Sequence, residues 1–264
     1  MTHISDFAYL TRKNYRDKAK ISYISNNLSN SFDKAFKIAS TTLLKSLSEA
    51  ESKKDMLTEQ ANGILSEIEN YNLEQSNNID TIVEELGDSN WLIESNKASL
   101  LSISEMRVIF LFKTIENAIK EILVIAFPKV KKQSLYRWDV IENLLKSNGV
   151  ELDKLDGYET ANQLRKVNNN IKHSDNITEE TKKIPHWKRE TNFTYENIDA
   201  FYNNIHELII KFMKNLGEAI VIAVYDLTNE KLDEMSQSIF DNLETKRVEM
   251  LIKKLEERIK ENSK

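Results

Sequence analysis

The residues best suited to chemistry lie together in Asn162-Gln163-Leu164-Arg165-Lys166-Val167-Asn168-Asn169-Asn170-Ile171-Lys172-His173. Read as a helix at 100° per residue, Asn162, Arg165, Asn169, Lys172 and His173 share an arc of about 100°. Leu164, Val167 and Ile171 fall on another face and can anchor the helix in a core. The last turn of a helix favours cations, so it favours a protonated imidazole at His173, which is a usable general acid. Arg165 offers a guanidinium for phosphate oxygens, and Asn169 can donate or accept hydrogen bonds. These are the groups a phosphodiester-cleaving site needs. They are equally the polar face that any amphipathic helix carries, and the residues alone leave both readings open.

Residues 163–189 hold seven Lys or Arg against three Asp or Glu, a local excess of cations in a chain of net charge −5. Lys166, Asn168, Lys182, Lys183, Lys188 and Arg189 could contact a polyanion, and Trp187 beside the last two could stack on an unpaired base. The same stretch also reads as a solvated polar loop. A second basic cluster, Lys129, Lys131, Lys132 and Arg137, is interleaved with Tyr136 and Trp138. His3, His186 and His206 have no ligand partners at helical spacing, and Glu151, Asp153 and Asp156 do not match a calcium loop. No glycine-rich phosphate loop occurs, and neither metal nor cofactor is expected.

The positioning elements must be helices. Five glycines and two prolines in 264 residues are too few for a β-protein with many tight turns. With no cysteine, disulfides and thiolate chemistry are excluded. An acidic chain is a poor nonspecific duplex binder, so any nucleic-acid contact must be local. The first residues lack a basic segment followed by an apolar one, which argues against a secretory signal. The most apolar window, Leu208 to Tyr225, is interrupted by Lys211, Lys214 and Glu218 and reads as a core helix, not a membrane span. A cytoplasmic all-α protein is the expectation.

Three regions are expected. Residues 1–99 form a helical, coiled-coil arm, since Phe36, Leu43, Ala50, Leu57, Ile64 and Tyr71 recur every seven positions. The second seam position, Ser40, Leu47, Lys54, Ala61 and Ile68, is only partly apolar. Residues 100–226 form a central up-and-down bundle of four helices, near Ser102–Phe127, Trp138–Lys146, Gly157–His173 and Tyr195–Tyr225. Between the last two lies a polar connection, 174–194, longer than the ~12–15 residues usual for an unstructured loop. Residues 227–264 form an amphipathic helix carrying Leu232, Met235, Ile239, Leu243, Val248, Leu251, Leu255 and Ile259, which packs on the arm or on a partner. Gly87-Asp88-Ser89-Asn90 is expected to break the chain between arm and bundle.

The stretch from Leu164 to His173 resembles the signature of HEPN-domain proteins, helical bundles common in toxins and antiviral systems. That signature is an arginine, usually a polar residue, and a histidine after four to six intervening residues. The resemblance covers roughly residues 100–226. His173 matches the family histidine and Asn169 the polar position four before it. Asn168 stands where the commonest form of the motif has arginine, Lys166 is six intervening residues from His173, and Arg165 lies one step further out. Glu116 resembles the acidic residue that many members place opposite the motif.

The resemblance implies a metal-independent endoribonuclease of toxin or anti-phage type. A 2′-hydroxyl would attack the adjacent phosphate at a composite site formed by a homodimer. His173 would move protons, Arg165 and Lys172 would hold phosphate, and Asn169 would orient the nucleophile or the imidazole. The alternative is a catalytically inactive helical module, an antitoxin, sensor or scaffold subunit, whose long terminal helices recruit a regulatory protein.

Overall fold

The computed structural model describes residues 3–66, 73–226 and 229–262. Among these, regular structure is helical: α1 (His3–Asn26), α2 (Asp33–Ser66), α3 (Leu73–Ala126), α4 (Trp138–Ser147), α5 (Tyr158–His173), α6 (Glu179–Lys182), α7 (Tyr195–Tyr225), α8 (Asn229–Asn242) and α9 (Thr245–Asn262). Short 3-10 turns sit at Lys132–Ser134, Leu152–Lys154 and Pro185–Trp187. Asn176 and Asn192 form an isolated antiparallel bridge. No helix among the described residues is long and apolar enough to cross a membrane.

The bundle is built from α1, the second half of α3, α5 and α7. Val108, Leu111, Ile115, Ile119 and Ile122 of α3 meet Ile198, Phe201, Ile205, Ile209 and Phe212 of α7, all buried. Ile21 of α1 and Leu164 and Val167 of α5 complete the core. The fourth expected helix has the bounds observed for α7. Thr194 starts it with a reciprocal cap, its hydroxyl accepting from the Asn197 amide while the Asn197 side chain accepts from the Thr194 amide.

Two glycines fix how closely these helices approach. Gly157, at φ 90°, leads into α5, and a Cβ there would lie 2.9 Å from both the Leu208 carbonyl oxygen and Phe212 Cβ of α7. Gly217 lets α7 cross α1, since a Cβ would collide with the Ser25 side chain. The antiparallel register of that crossing is closed by Lys18 donating to Asp226 at 2.8 Å.

The arm differs from expectation in three ways. First, α1 lies within the span 1–99 but packs on α7 and α3, so it belongs to the bundle. Second, α3 runs unbroken through Gly87-Asp88-Ser89-Asn90 and is 54 residues long, about 80 Å. The expected break ignored that Gly, Asp, Ser and Asn are tolerated in a helix whose neighbour packs well. Third, the coiled-coil partner of α2 is the first half of α3, in an antiparallel hairpin tied by Lys53–Glu85 at 2.9 Å and by Asn96 donating to Ser46 at 3.0 Å. Ser89 is buried in that seam, level with buried Ala50, so small residues allow close approach. Phe36, Ala50, Leu57 and Ser40 are buried as seam positions should be. Tyr71 and Ile68 of the repeat lie outside the described residues.

The arm is riveted to the bundle by Arg107 of α3. Its guanidinium lies between the rings of Phe36 and Tyr202, 4.3 and 3.6 Å from their centroids. Nε donates to Asp33 and Nη1 to Asp199, each at 2.8 Å. Tyr202 donates its hydroxyl to Asp33, and Asn30 donates to Tyr202. Burial, more than the neighbouring carboxylate, pushes the Tyr202 hydroxyl well above the ordinary phenol range.

The C-terminal stretch is two helices, interrupted near Leu243 and Glu244, and α8 packs on α9. Val248 is buried, whereas Leu232, Phe240, Met250, Ile252 and Leu255 are exposed.

Candidate functional site

Helix α5 is held by Ala161, Leu164 and Val167 against α3 and α7, and it turns its polar stripe outward. Lys172 and His173 are exposed side by side at its last turn. Asn169 is exposed as well, and its Oδ1 accepts from Asn168 Nδ2 at 3.2 Å.

Arg165 sits eight residues before His173, a rise of about 12 Å along the helix. Its Nη2 donates to Asn162 Oδ1 at 2.9 Å, and its guanidinium lies 5.9 Å from the Trp138 ring centroid. Both interactions hold it toward α4, away from the last turn. Trp138 Nε1 and the Tyr158 hydroxyl each donate to Glu142 Oε1 at 2.6 Å, and burial with this carboxylate pushes the Tyr158 hydroxyl up to about 12. Arg165 thus belongs to a separate polar group along the N-terminal half of α5.

Asn168, at the position of the commonest motif arginine, is only 1% exposed. Its Oδ1 is buried without a hydrogen-bond partner, as is Nε1 of Trp187. Asn168 therefore faces the core and cannot contact a substrate without a rearrangement. Lys166 pairs with Glu180 at 3.1 Å, Lys182 with Glu179 at 2.8 Å, and Lys183 with Glu180. Lys183, then Lys166, hold the Glu180 carboxyl below its usual range. Part of the apparent basic excess in 163–189 is thus matched by two local carboxylates, while Lys188 and Arg189 stay exposed.

Trp187 corrects the base-stacking reading. It is fully buried, with ring centroids 5.2 Å from Phe193, 5.3 Å from Phe201 and 4.6 Å from His186. The connection 174–194 is not an open polar loop but a folded flap whose core is Ile177, Ile184, Trp187 and Phe193. A charge-based reading treated Trp187 as part of its basic neighbours, although the apolar residues around it in sequence supply a small core.

Asn170 is the residue that sequence reasoning missed in this segment. It is buried, donates to the Asn176 carbonyl at 2.8 Å, and accepts from the Thr178 amide at 2.8 Å and hydroxyl at 3.0 Å. It ties the flap to the end of α5. Within three consecutive asparagines nothing distinguished it, because helical phase puts it between the polar and apolar faces.

Chain comparisons add no relative. The chain matches no protein-family model, no curated protein and no solved structure.

Glu116 bonds Lys120 at 2.7 Å within α3. The α3 carboxyl that senses the His173 end is Glu105, whose value is raised by burial and then by Asp175, two residues past His173. Glu116 lies eleven residues further along α3, about 16 Å. In the second basic cluster, Lys132 pairs with Glu121 at 3.5 Å and Arg137 with Asp139, leaving Lys129 and Lys131 exposed.

Proposed function

We propose that this chain acts by binding, as a helical module of the kind the HEPN resemblance allows without catalysis, and that its α2–α3 arm and α8–α9 tail engage a protein partner. The observation that carries this reading is the separation within α5. Arg165 is retained by Asn162 and Trp138, eight residues and about 12 Å of helix rise before His173, so its guanidinium is held toward α4 and away from the imidazole of the same copy. Electrostatic stabilisation of a phosphorane-like charge requires a donor within hydrogen-bond reach of it. With Asn168 in the core, the ammonium of Lys172 is the motif cation left beside His173, and it lacks the planar fork with which a guanidinium grips phosphate oxygens.

The test is expression of wild type and His173→Ala in cells, with growth and total RNA integrity compared. The expected result is the same growth and the same intact RNA for both.

A second reading is an endoribonuclease completed by a homodimer. It is favoured by the exposure of Lys172 and His173 on a helix end clamped by Asn170, where a second copy could add its own pair. RNA breakdown by wild type that His173→Ala abolishes would select this reading.

A further inference from the structure

We propose that the outward face of α1 binds single-stranded nucleic acid. The proposal is independent of the α5 site, since α1 and α5 each pack on α3 and α7. Between Asp6 and Asp33 the sequence holds Arg12, Lys13, Arg16, Lys18 and Lys20, of which Lys18 is paired with Asp226, and its one acidic residue is Asp17. Asp17 is buried, so no carboxylate of this stretch lies on the open surface. Such a cationic stretch stands out in a chain of net charge −5.

Two rows run along the exposed side. Tyr15, Ala19 and Tyr23 follow one another at one-turn spacing, and Arg16 and Lys20 form the adjacent row. Tyr15 and Tyr23 are 79% and 68% exposed, and the Arg16 side chain is 63% exposed with Asp17 only at 3.8 Å. Arg16, Ala19, Lys20, Tyr23 and Ile24 line a shallow hollow between the rows. Exposed phenol rings offer stacking faces, and the parallel row of cations can follow a phosphate backbone.

Charge decides for an anionic partner, and the rings decide among anions. In a duplex the faces of the bases are already stacked, whereas a single strand can turn them onto Tyr15 and Tyr23. A membrane surface would need large apolar residues on the same face to insert. Here Ile21 is buried in the bundle and Ile24, at the edge of the hollow, is half-buried against it, which leaves tyrosines and cations as the large side chains standing out from this face. An acidic protein would use the cations but gain little from the rings.

Fluorescence anisotropy of a short labelled oligouridylate against the full chain at low salt tests this, with oligothymidylate, a duplex of equal length and polyglutamate in parallel. Binding is expected for both single strands and is expected to weaken steeply with salt. Tyr23→Ala should weaken it about tenfold while Tyr23→Phe retains it. Arg16→Glu with Lys20→Glu should remove most of it, and Lys253→Ala on α9 should leave it unchanged. The proposal is overturned by no binding at low salt, by equal binding of the duplex, or by indifference to the Arg16/Lys20 reversal. Polyglutamate displacing the oligonucleotide equally well, with Tyr23→Ala without effect, overturns it in favour of an acidic protein.

Discussion

Arg107 concentrates more interactions than any residue of the motif segment, and it was not legible as such. In sequence it is a lone cation beside Val108 and Leu111, which reads as an exposed helix position. Its two carboxylate partners, Asp33 and Asp199, are 74 and 92 residues away, and no local pattern reports such a meeting. Removing one member of a largely buried charged group leaves the others uncompensated. Arg107→Ala is expected to cost about 3 kcal/mol in urea unfolding, and Arg107→Lys should recover little, because an ammonium lacks the planar fork that stacks between Phe36 and Tyr202. Glu105 contributes to the pH dependence of stability. Its raised value means that the folded state holds the proton more tightly than the unfolded state. The stability it contributes is present below the ordinary carboxylate range and is lost as pH climbs through the raised value. Glu105→Gln should therefore unfold at a higher temperature than wild type at neutral pH, and the two curves should converge in acid.

Most helices were legible, because their signals are local. Pro128 closes α3, Gly157 opens α5, and the apolar spacing of α7 continues from Tyr195 to Tyr225. The hidden parts were those where small or polar residues act through a neighbour. Ser89 reads as a loop residue until α2 brings Ala50 level with it, and Asn170 reads as one asparagine of three until the flap folds back on it. Asn170→Ala removes three hydrogen bonds and is expected to cost about 2 kcal/mol, with faster amide exchange at Ile177 and Thr178 as the specific readout. Gly217→Ala should cost about 1–3 kcal/mol through overpacking against Ser25, and Ser25→Gly in the same chain should return part of it. Additive losses in that double variant would show that the two helices do not press on each other at this point.

At the scale of the whole molecule, the bundle supports a two-helix arm and a short helical tail, with exposed apolar side chains on both. Among the described residues, Ile38, Val83 and Trp91 on the arm and Phe240, Met250 and Ile259 on the tail are the most exposed of these. The sequence conveyed the all-α class and the heptad character of the arm, but it left the arm's partner open between the C-terminal helix and a second chain where the first half of α3 fills that role, because a seam pattern specifies a complementary seam without naming it. The motif residues sit on one helix as their spacing required, yet a shared face is not a shared site: along α5 they divide into a group at Trp138 and a pair at the last turn. The proposal of binding without cutting rests on that division. It is tested most directly by incubating the purified full chain, and separately His173→Ala, with single-stranded RNA and resolving the products on a denaturing gel. Intact RNA in both lanes is the expected result. Fragments ending in a cyclic phosphate with wild type, absent with His173→Ala, would contradict it.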